Sequence, residues 1–300
     1  MSPYRRILLI MTQPESCPAA LLRALALADA SGAALHVLGV YEPTELRLHH
    51  ELQQPPAATA SFVHFNAELN ALLDEQCAHR PRPSFEAVQT LNPRDFLPAY
   101  IAKFAPDLVI KDCPASSMFG QIAQASLDYA LLHACQGLFQ FVPVNAPAMP
   151  AQVLIAVDVA SPEPAQHVLN HQLIEAGQQL ALQCNGHAHL LSAYDLPMAM
   201  LANAELAEPW AQEVRASLRV PFDTLADAHG IAYSHRYFVE GAPLRIIKAH
   251  ISSLMIDVVV VGVVGVVQPK RWAKLIGDTT ERLIGSAPCS ILAVKPTPAV

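Results

Sequence analysis

The residues with the most chemical promise lie in Val258–Lys295, VVVVGVVGVVQPKRWAKLIGDTTERLIGSAPCSILAVK, and in one acid far upstream, Asp158. Gly262 and Gly265 close a run of valines, and a glycine lets a backbone come close to a ligand because no Cβ intervenes. A helix restarting near Gly277 would aim unpaired N–H groups at the same place, which suits an anion. Lys270, Arg271 and Lys274 in the intervening loop add cations that can grip phosphate. One feature opposes them. Asp278-Thr279-Thr280-Glu281 reads as a capping box, and a carboxylate at a helix N-terminus repels the phosphate that the backbone attracts. The chemistry on offer is anion binding. No GxSxG, GxxxxGK[ST] or HxGH motif supplies a nucleophile, a base or an adenylyl-transfer site, so catalysis is expected to be absent or limited to slow nucleotide hydrolysis.

Elements must carry these residues to one point. The valine run Val258–Val261 has no polar alternation, which fits a parallel strand buried on both faces. Apolar residues make up 52% of the 300 residues and charged ones 15%, so a large core is available and disorder is not expected. The net charge of −7, with Lys and Arg scattered, argues against a nucleic-acid partner. The start MSPYRRILLIMTQ reads as neither a signal peptide nor a membrane span. Six cysteines with no CxxC read as buried reduced thiols, which points to the cytoplasm.

The chain is a repeat. ILLIMT at Ile7–Thr12 matches VLIAVD at Val153–Asp158, and ALHVLGVYE at Ala34–Glu42 matches HAHLLSAYD at His187–Asp195. DLVIKD at Asp107–Asp112 matches DVVVVG at Asp257–Gly262, and LFQFVPV at Leu138–Val144 matches CSILAVK at Cys289–Lys295. The four matches keep one order and one offset of about 150 residues, with a Pro- and Ala-rich joint at Asn145–Gln152. Two domains follow, residues 1–148 and 149–300. In each, strands alternate with helical stretches: Pro18–Ser31, Phe62–His79, Pro93–Phe104 and Gln121–Ala134 in the first, Pro164–Leu182, Pro209–His229, Pro243–Ser253 and Thr279–Gly285 in the second. Third strands are expected at Phe85–Thr90 and Tyr233–Phe238. The fold class is therefore α/β, with two tandem doubly wound parallel five-stranded sheets. Pro143 in the first half's fifth strand predicts local irregularity there.

The strands VLIAVD and AHLLSAY, the segment EGAPLRIIKAH at Glu240–His250, the strand end DVVVVGVVG and the terminal PCSILAVKP together resemble the universal stress protein family, in particular its tandem E-type members. The resemblance covers nearly the whole chain. It implies an adenine nucleotide alpha hydrolase-like fold with strand order 3-2-1-4-5, a cytoplasmic stress-response role, and domains that pair through their fifth strands. That pairing could occur within the chain, with a homodimer as a further possibility. It also implies ATP or another adenine nucleotide, with Mg²⁺, as ligand. Family members that bind nucleotide carry an Asp closing the first strand and Gly-x2-Gly-x9-Gly-Ser/Thr after the fourth. Here Asp158 matches the Asp, and Gly262 and Gly265 match the first pair. Gly277 follows after eleven residues rather than nine, and Asp278 stands where Ser or Thr is expected, with Thr279 next. By resemblance Asp158 holds ribose or adenine groups, Val157 and Ala193 flank the base, and Val261, Gly262, Gly265, Lys270, Arg271, Gly277, Asp278 and Thr279 complete the site. The general rule for doubly wound sheets places ligands at the same point, where strands one and four part.

The first half lacks the pattern. Thr12 replaces the Asp, Asp112 replaces the first glycine, and Lys111-Asp112-Cys113-Pro114-Ala115 offers no phosphate loop, which a lone Gly120 does not restore. No ATP is expected there; side chains fill the pocket, or a less polar ligand does. A second reading of the whole chain drops nucleotide altogether: Glu42–Ala60 and Leu196–Glu208, rich in Leu, Met, Ala and Pro, become the lips of an apolar cleft for a lipid-like ligand or a protein partner.

Other residues are read more plainly. His187 and His189 share a strand face, as a metal pair would, but His189 falls on His36, where no second histidine follows, and a structural role is expected. His167 and His171 lie one helical turn apart without the Glu of HExxH and are read as surface or partner contacts. His49-His50 is a weak metal signal. Trp272 stacks on a base or packs the loop. Cys113 before Pro114 is the candidate reactive thiol, against the default of a buried inert cysteine.

Overall fold

The computed structural model describes residues 4–14, 18–43, 60–113, 127–128, 130–132, 135, 137–195, 204–263, 280, 282–283 and 287–296, with residues 60 and 204–207 as backbone. The chain divides into two compact units, Met1–Met149 and Pro150–Val300.

In the first unit the unbroken apolar run of β1 (Arg6–Met11) is buried from Ile7 onward, as a strand covered on both faces should be. It pairs in parallel with β2 (Ala34–Tyr41) on one side and β4 (Leu108–Cys113) on the other. β3 (Ser84–Gln89) lies outside β2, and β5 (Leu138–Pro143) outside β4, so the order is β3-β2-β1-β4-β5. Helices α1 (Pro18–Ser31), α2 (Ala60–Gln76) and α3 (Pro93–Phe104) make the crossovers. Asn92 caps α3 by accepting from the Asp95 N–H at 3.3 Å, and Pro93 takes the first turn, where no donor is needed. Pro143 is the last residue of β5, opposite Cys113, so its missing N–H falls at the strand end and the irregularity expected inside the strand does not arise.

The second unit repeats the plan. β6 (Gln152–Val157) pairs with β7 (His187–Tyr194) and β9 (Val258–Gly262), β7 pairs with β8 (Arg236–Glu240), and β9 pairs with β10 (Ser290–Val294), all in parallel. The order β8-β7-β6-β9-β10 matches the expected 3-2-1-4-5. Helix α4 (Pro164–Gln183) crosses from β6 to β7, α5 (Ala204–Ala228) from β7 to β8, and α6 (Pro243–Ser253) from β8 to β9. α4 sits close to the sheet because Gly177 faces Ile155. A Cβ at 177 would stand 2.4 Å from Ile155 Cγ1.

Several boundaries move by one to three residues, as where α2 runs Ala60–Gln76 rather than Phe62–His79, and two larger differences have a physical reason. α5 begins at Ala204, so Pro209 and Pro221 both lie inside the helix rather than one starting it. An internal proline removes one ladder hydrogen bond, which tertiary packing outweighs here: Phe222 beside Pro221 is fully buried. Tyr233–His235 forms a 3-10 turn, which delays β8 to Arg236.

The repeat extends to the joints. Asp107 Oδ2 accepts the N–H groups of Arg5 and Arg6, each at 2.8 Å, and Asp257 Oδ2 accepts those of Ala151 and Gln152 at 2.7 and 2.9 Å. In both units an acid preceding the fourth strand ties down the start of the first.

Candidate functional site: the cleft of the second unit

Strands β6 and β9 run side by side, and the strand order reverses between them, β7 and β8 following beyond β6 and β10 beyond β9, which is where doubly wound sheets open a crevice beyond the strand C-termini. A cleft of about 350 Å³ occupies it, within the range of roughly 300–1,000 Å³ usual for small-molecule sites. Val157, Asp158, Ala193, Val261 and Gly262 all line this cleft. Gly265, Lys270, Arg271, Gly277, Asp278 and Thr279 lie outside the described residues, as do Lys274, Trp272 and His49-His50. So do residues 44–59 and 196–203, which carry most of the two lip segments.

The cleft wall is largely apolar. α4 supplies Leu169 and Leu173, β7 supplies Leu191, and α6 supplies Pro243 and Ile247. Polar groups gather at the strand ends. Asp158 is exposed, and its Oδ1 accepts the N–H groups of Ala160 and Ser161 at 2.9 and 3.1 Å, closing an Asx-type turn. The Asp158 backbone is held from below by Asn170, which is 3% exposed. Asn170 Nδ2–H donates to the Asp158 carbonyl at 2.7 Å, and Asn170 Oδ1 accepts the Asp158 N–H at 3.1 Å. Gln166 Nε2–H donates to the same Oδ1 at 2.9 Å. The turn bearing the acid is thus fixed to α4 by a buried polar relay that sequence reasoning missed. Its only signal is an amide pair, Gln166 and Asn170, one helical turn apart.

Gly262 has a packing role as well as a place in the cleft. A Cβ there would stand 2.7 Å from Leu169 Cδ2, so the missing side chain admits Leu169. Thr280, beside the predicted Thr279, donates its hydroxyl to the Gly262 carbonyl at 2.9 Å and lines the cleft.

The corresponding region of the first unit is filled by charge. Asp112 ends buried beside Thr12, and Asp112 Oδ2 accepts the N–H groups of Thr12 and Gln13 at 2.7 and 2.8 Å. The Thr12 hydroxyl donates to Asp112 Oδ1 at 2.8 Å. Lys111, wholly buried, donates to the Asp112 carbonyl at 2.9 Å and pairs with Asp128 at 3.1 Å. Burial alone would lower the Lys111 pKa, but the Asp128 and Asp112 carboxylates outweigh it and hold the ammonium protonated. For Asp128 burial prevails over Lys111 and pushes the carboxyl up. The N–H groups of Thr12 and Gln13, which an anion at the end of β1 would use, are thus taken by Asp112.

The histidines separate into two kinds. His36 is satisfied at both nitrogens: Nε2 lies 2.7 Å from the Tyr100 hydroxyl, which donates to Glu86, and Nδ1 lies 2.8 Å from Ser84 Oγ. His189 donates Nε2–H to Gln152 Oε1 at 2.7 Å, while its buried Nδ1 has no partner among the described residues. His167 and His171 are exposed, as the surface reading expects, and each also makes a contact within the chain: His167 Nε2 meets the Ser161 carbonyl at 3.1 Å, and His171 Nδ1 meets His229 Nε2 at 2.7 Å. Among the described residues no three His, Cys, Asp or Glu side chains converge on a metal position. Cys113 is a half-buried cysteine outside any disulfide, at the end of β4.

Fold and cleft together define a tandem α/β protein of the doubly wound class with one open switch-point cleft described, in its second unit. The chain belongs to the universal stress protein family, whose model matches residues 3–135 and 149–295. Over 195 residues it is 27% identical to a universal stress protein E homolog of Haemophilus influenzae, covering 64% of this chain and 62% of the relative. The figures for universal stress protein E of Escherichia coli K12 are 27% over 195 residues, 63% and 61%, so the match spans less than two thirds of either relative. A structure of a functionally unknown protein from Pseudomonas aeruginosa PAO1 superposes with a TM-score of 0.69 at 19% identity, covering 98% of this chain and 93% of that one. A universal stress protein from Archaeoglobus fulgidus does so at 0.61 and 15%, covering 99% and 100%. These two show the fold. No helix among the described residues is long and apolar enough to cross a membrane.

Proposed function

We propose that this chain is a cytoplasmic regulatory stress-response protein whose second unit binds ATP or another adenine nucleotide, Mg²⁺ arriving with the phosphates, without catalysis. The supporting observation is convergence. Val157, Asp158, Ala193, Val261 and Gly262, separated by as many as 105 positions of sequence, line one cleft of suitable volume at the switch point. Asp158 offers an exposed carboxylate to ribose or adenine donors, and Val157 and Ala193 offer apolar contact to a base. Lys270, Arg271, Gly265, Gly277, Asp278 and Thr279 complete the phosphate end in this reading. Occupancy changes a surface offered to a protein partner.

Titration calorimetry of MgATP, with ADP and AMP alongside, tests this. One saturable site per chain is expected, lost in Asp158→Ala. Asp158→Asn separates charge from turn geometry, because it keeps an oxygen for the N–H groups of Ala160 and Ser161. Gly262 is the poorer probe, since any side chain there meets Leu169. No heat and no thermal stabilisation with any of the nucleotides overturns the proposal.

The second reading, an apolar or lipid-like ligand, draws on the wall of Leu169, Leu173, Leu191, Pro243 and Ile247. Saturable binding of a fluorescent fatty acid, indifferent to Asp158→Asn and not displaced by ATP, would favour it.

A further inference from the structure

The wall that α6 contributes to the cleft continues along the sheet into a layer of histidines. Alternate residues of a strand share a face, so His187, His189, Leu191 and Ala193 of β7 all point to the side that α6 covers. Leu191 and Ala193 meet Pro243 and Ile247 of α6 in the cleft. Toward the other end of the same face, His189 lies 4.7 Å from His235 and 5.9 Å from Tyr237, ring centre to ring centre. His187 lies 5.9 Å from His235, and Tyr237 lies 5.2 Å from His250 on α6. A line of rings thus runs from β7 through β8 to the helix that forms one lip of the cleft.

The repeat shows what is unusual here. In the first unit the same strand position holds His36, both of whose nitrogens are bonded, one of them to Tyr100 on α3. In the second unit α6 carries His250 in place of that tyrosine, and His250 turns its Nδ1 to the Ile246 carbonyl of its own helix at 2.8 Å. His189, 7% exposed, is left with a bare Nδ1 lone pair facing other imidazoles. A buried acceptor without a donor costs free energy, and a proton is the simplest species that would occupy it.

We propose that this histidine layer is a proton sensor that loosens α6, and with it the Pro243–Ile247 wall of the cleft, when the pH falls. The groups around His189 make the response repulsive. β6 presents the neutral Gln152, β7 presents His187, the turn before β8 and β8 itself present His235 and Tyr237, and α6 presents His250 with Lys248 and Arg245 on the same helix. The acids nearby are engaged elsewhere: Asp257 holds the N–H groups of Ala151 and Gln152, and Asp223 and Asp227 pair with Arg236. Among the described residues, a proton taken up by His189 meets groups that are neutral or positive.

Burial, and after it His235 and His187, lower the His189 pKa to about 4 from 6.5. A depressed base stabilises the fold above its unfolded pKa, and that contribution is lost as the pH falls from about 6.5 toward 4. Between roughly pH 7.5 and 5.5 the linkage amounts to about tenfold in the opening equilibrium.

The test is amide hydrogen exchange on the full chain at those two pH values, corrected for intrinsic rates, in wild type, His189→Phe and His189→Gln. Protection over residues 243–253 is expected to fall about tenfold on acidification in wild type and to stay level in both variants. Glutamine keeps a polar group should phenylalanine fail to fold. Equal loss in wild type and variants, or no loss in wild type, overturns the sensor. Its link to ligand affinity rests on the nucleotide reading above, so MgATP titration is run in parallel. Weaker binding at the lower pH in wild type alone supports the link. Absence of binding at both overturns the nucleotide reading alone, and the exchange result still decides the sensor.

Discussion

Lys111 is the position where the physics can be tested most sharply. Its ammonium is fully buried, 3.1 Å from Asp128 Oδ1, 2.9 Å from the Asp112 carbonyl and 3.8 Å from Asp112 Oδ1. At an effective dielectric near 20, one charge pair at 3.1 Å is worth roughly 5 kcal/mol before the cost of desolvation is set against it. Replacing Lys111 with methionine keeps the volume and removes the counter-charge from two buried acids. The expected loss of unfolding free energy is about 3–5 kcal/mol, the cost of stranding a buried charge. Asp128 adds a pH signature. Its carboxyl is already pushed up by burial against the pull of Lys111, and without the lysine it rises further. An acid whose folded pKa is raised costs stability above that pKa and recovers it below. Lys111→Met should therefore regain stability as the pH falls from neutral toward 5, where wild type gains less. The Lys111→Met/Asp128→Leu pair should recover most of the loss even at neutral pH, because neither charge remains. Urea unfolding of all three proteins, with the midpoint read at an unchanged slope for the first unit's transition, measures this. A loss below about 1 kcal/mol for Lys111→Met, or a double variant as unstable as the single one, would refute the assignment of the cluster as a mutually compensating buried network.

Three further outcomes are expected. Asn170→Leu removes both hydrogen bonds to the Asp158 backbone and should cost about 1–3 kcal/mol by denaturant unfolding, while weakening nucleotide binding more than that stability loss explains. Gly177→Ala drives a Cβ to within 2.4 Å of Ile155, and should lower stability by roughly 1–3 kcal/mol; Gly177→Ala combined with Ile155→Val should recover part of it in a thermal melt. Cys289, whose pKa burial pushes up to about 12, should be near 10³-fold less thiolate than a free cysteine at neutral pH, so mass spectrometry after brief iodoacetamide treatment should find it unmodified in native protein and alkylated in urea.

The fold was legible because its signal is repeated. Four strands recur in order, and α1, α3, α4 and α6 each open on a proline, so order 3-2-1-4-5 follows from the βαβ rules. Boundaries were less legible where propensity and packing conflict. Pro209 and Pro221 are breakers by intrinsic preference, yet α5 runs through both, because a preference of one residue yields to the burial of its neighbours. The site residues on strand ends could be placed because register is fixed by burial: once Val157 and Val261 are core positions, Asp158 and Gly262 must follow them at the rim. The supports were not readable. Asn170 and Gln166 resemble any polar residues of a helix, and only the three-dimensional approach of α4 to the β6 end gives them a task. The same holds for Gly262, whose close neighbour is a leucine ninety-odd residues earlier.

The two units place the same chemical pieces at the same point with the acid exchanged between strands, and this exchange accounts for their different character. In the first unit the end of β1 carries Thr12 and β4 carries Asp112; in the second the end of β6 carries Asp158 and β9 carries Gly262. An acid on the fourth strand points back across the sheet end. It takes the N–H groups of residues 12 and 13 and the Thr12 hydroxyl, so these three donors are consumed within the chain. Buried there, it needs Lys111 beside it, and Lys111 in turn pairs with Asp128. An acid on the first strand instead folds over its own turn to Ala160 and Ser161 and remains at the surface, while the missing side chain at 262 leaves the crevice wall to Leu169 and Thr280. One exchange of residue types between two neighbouring strands therefore separates a strand end that buries its acid from one that leaves it exposed beside a cleft. The double variant Thr12→Asp/Asp112→Gly would transplant the open arrangement, yet it would leave Lys111 and Asp128 as a buried pair without Asp112, so a full transplant must also make Lys111 and Asp128 apolar. Only that fourfold variant should open a cleft in the first unit, seen as saturable uptake of a small neutral probe such as xenon or benzene that wild type lacks there, nucleotide being no probe because residues 113–115 offer no phosphate loop; a double variant that opens it unaided would show that the lysine network is not what closes the first unit.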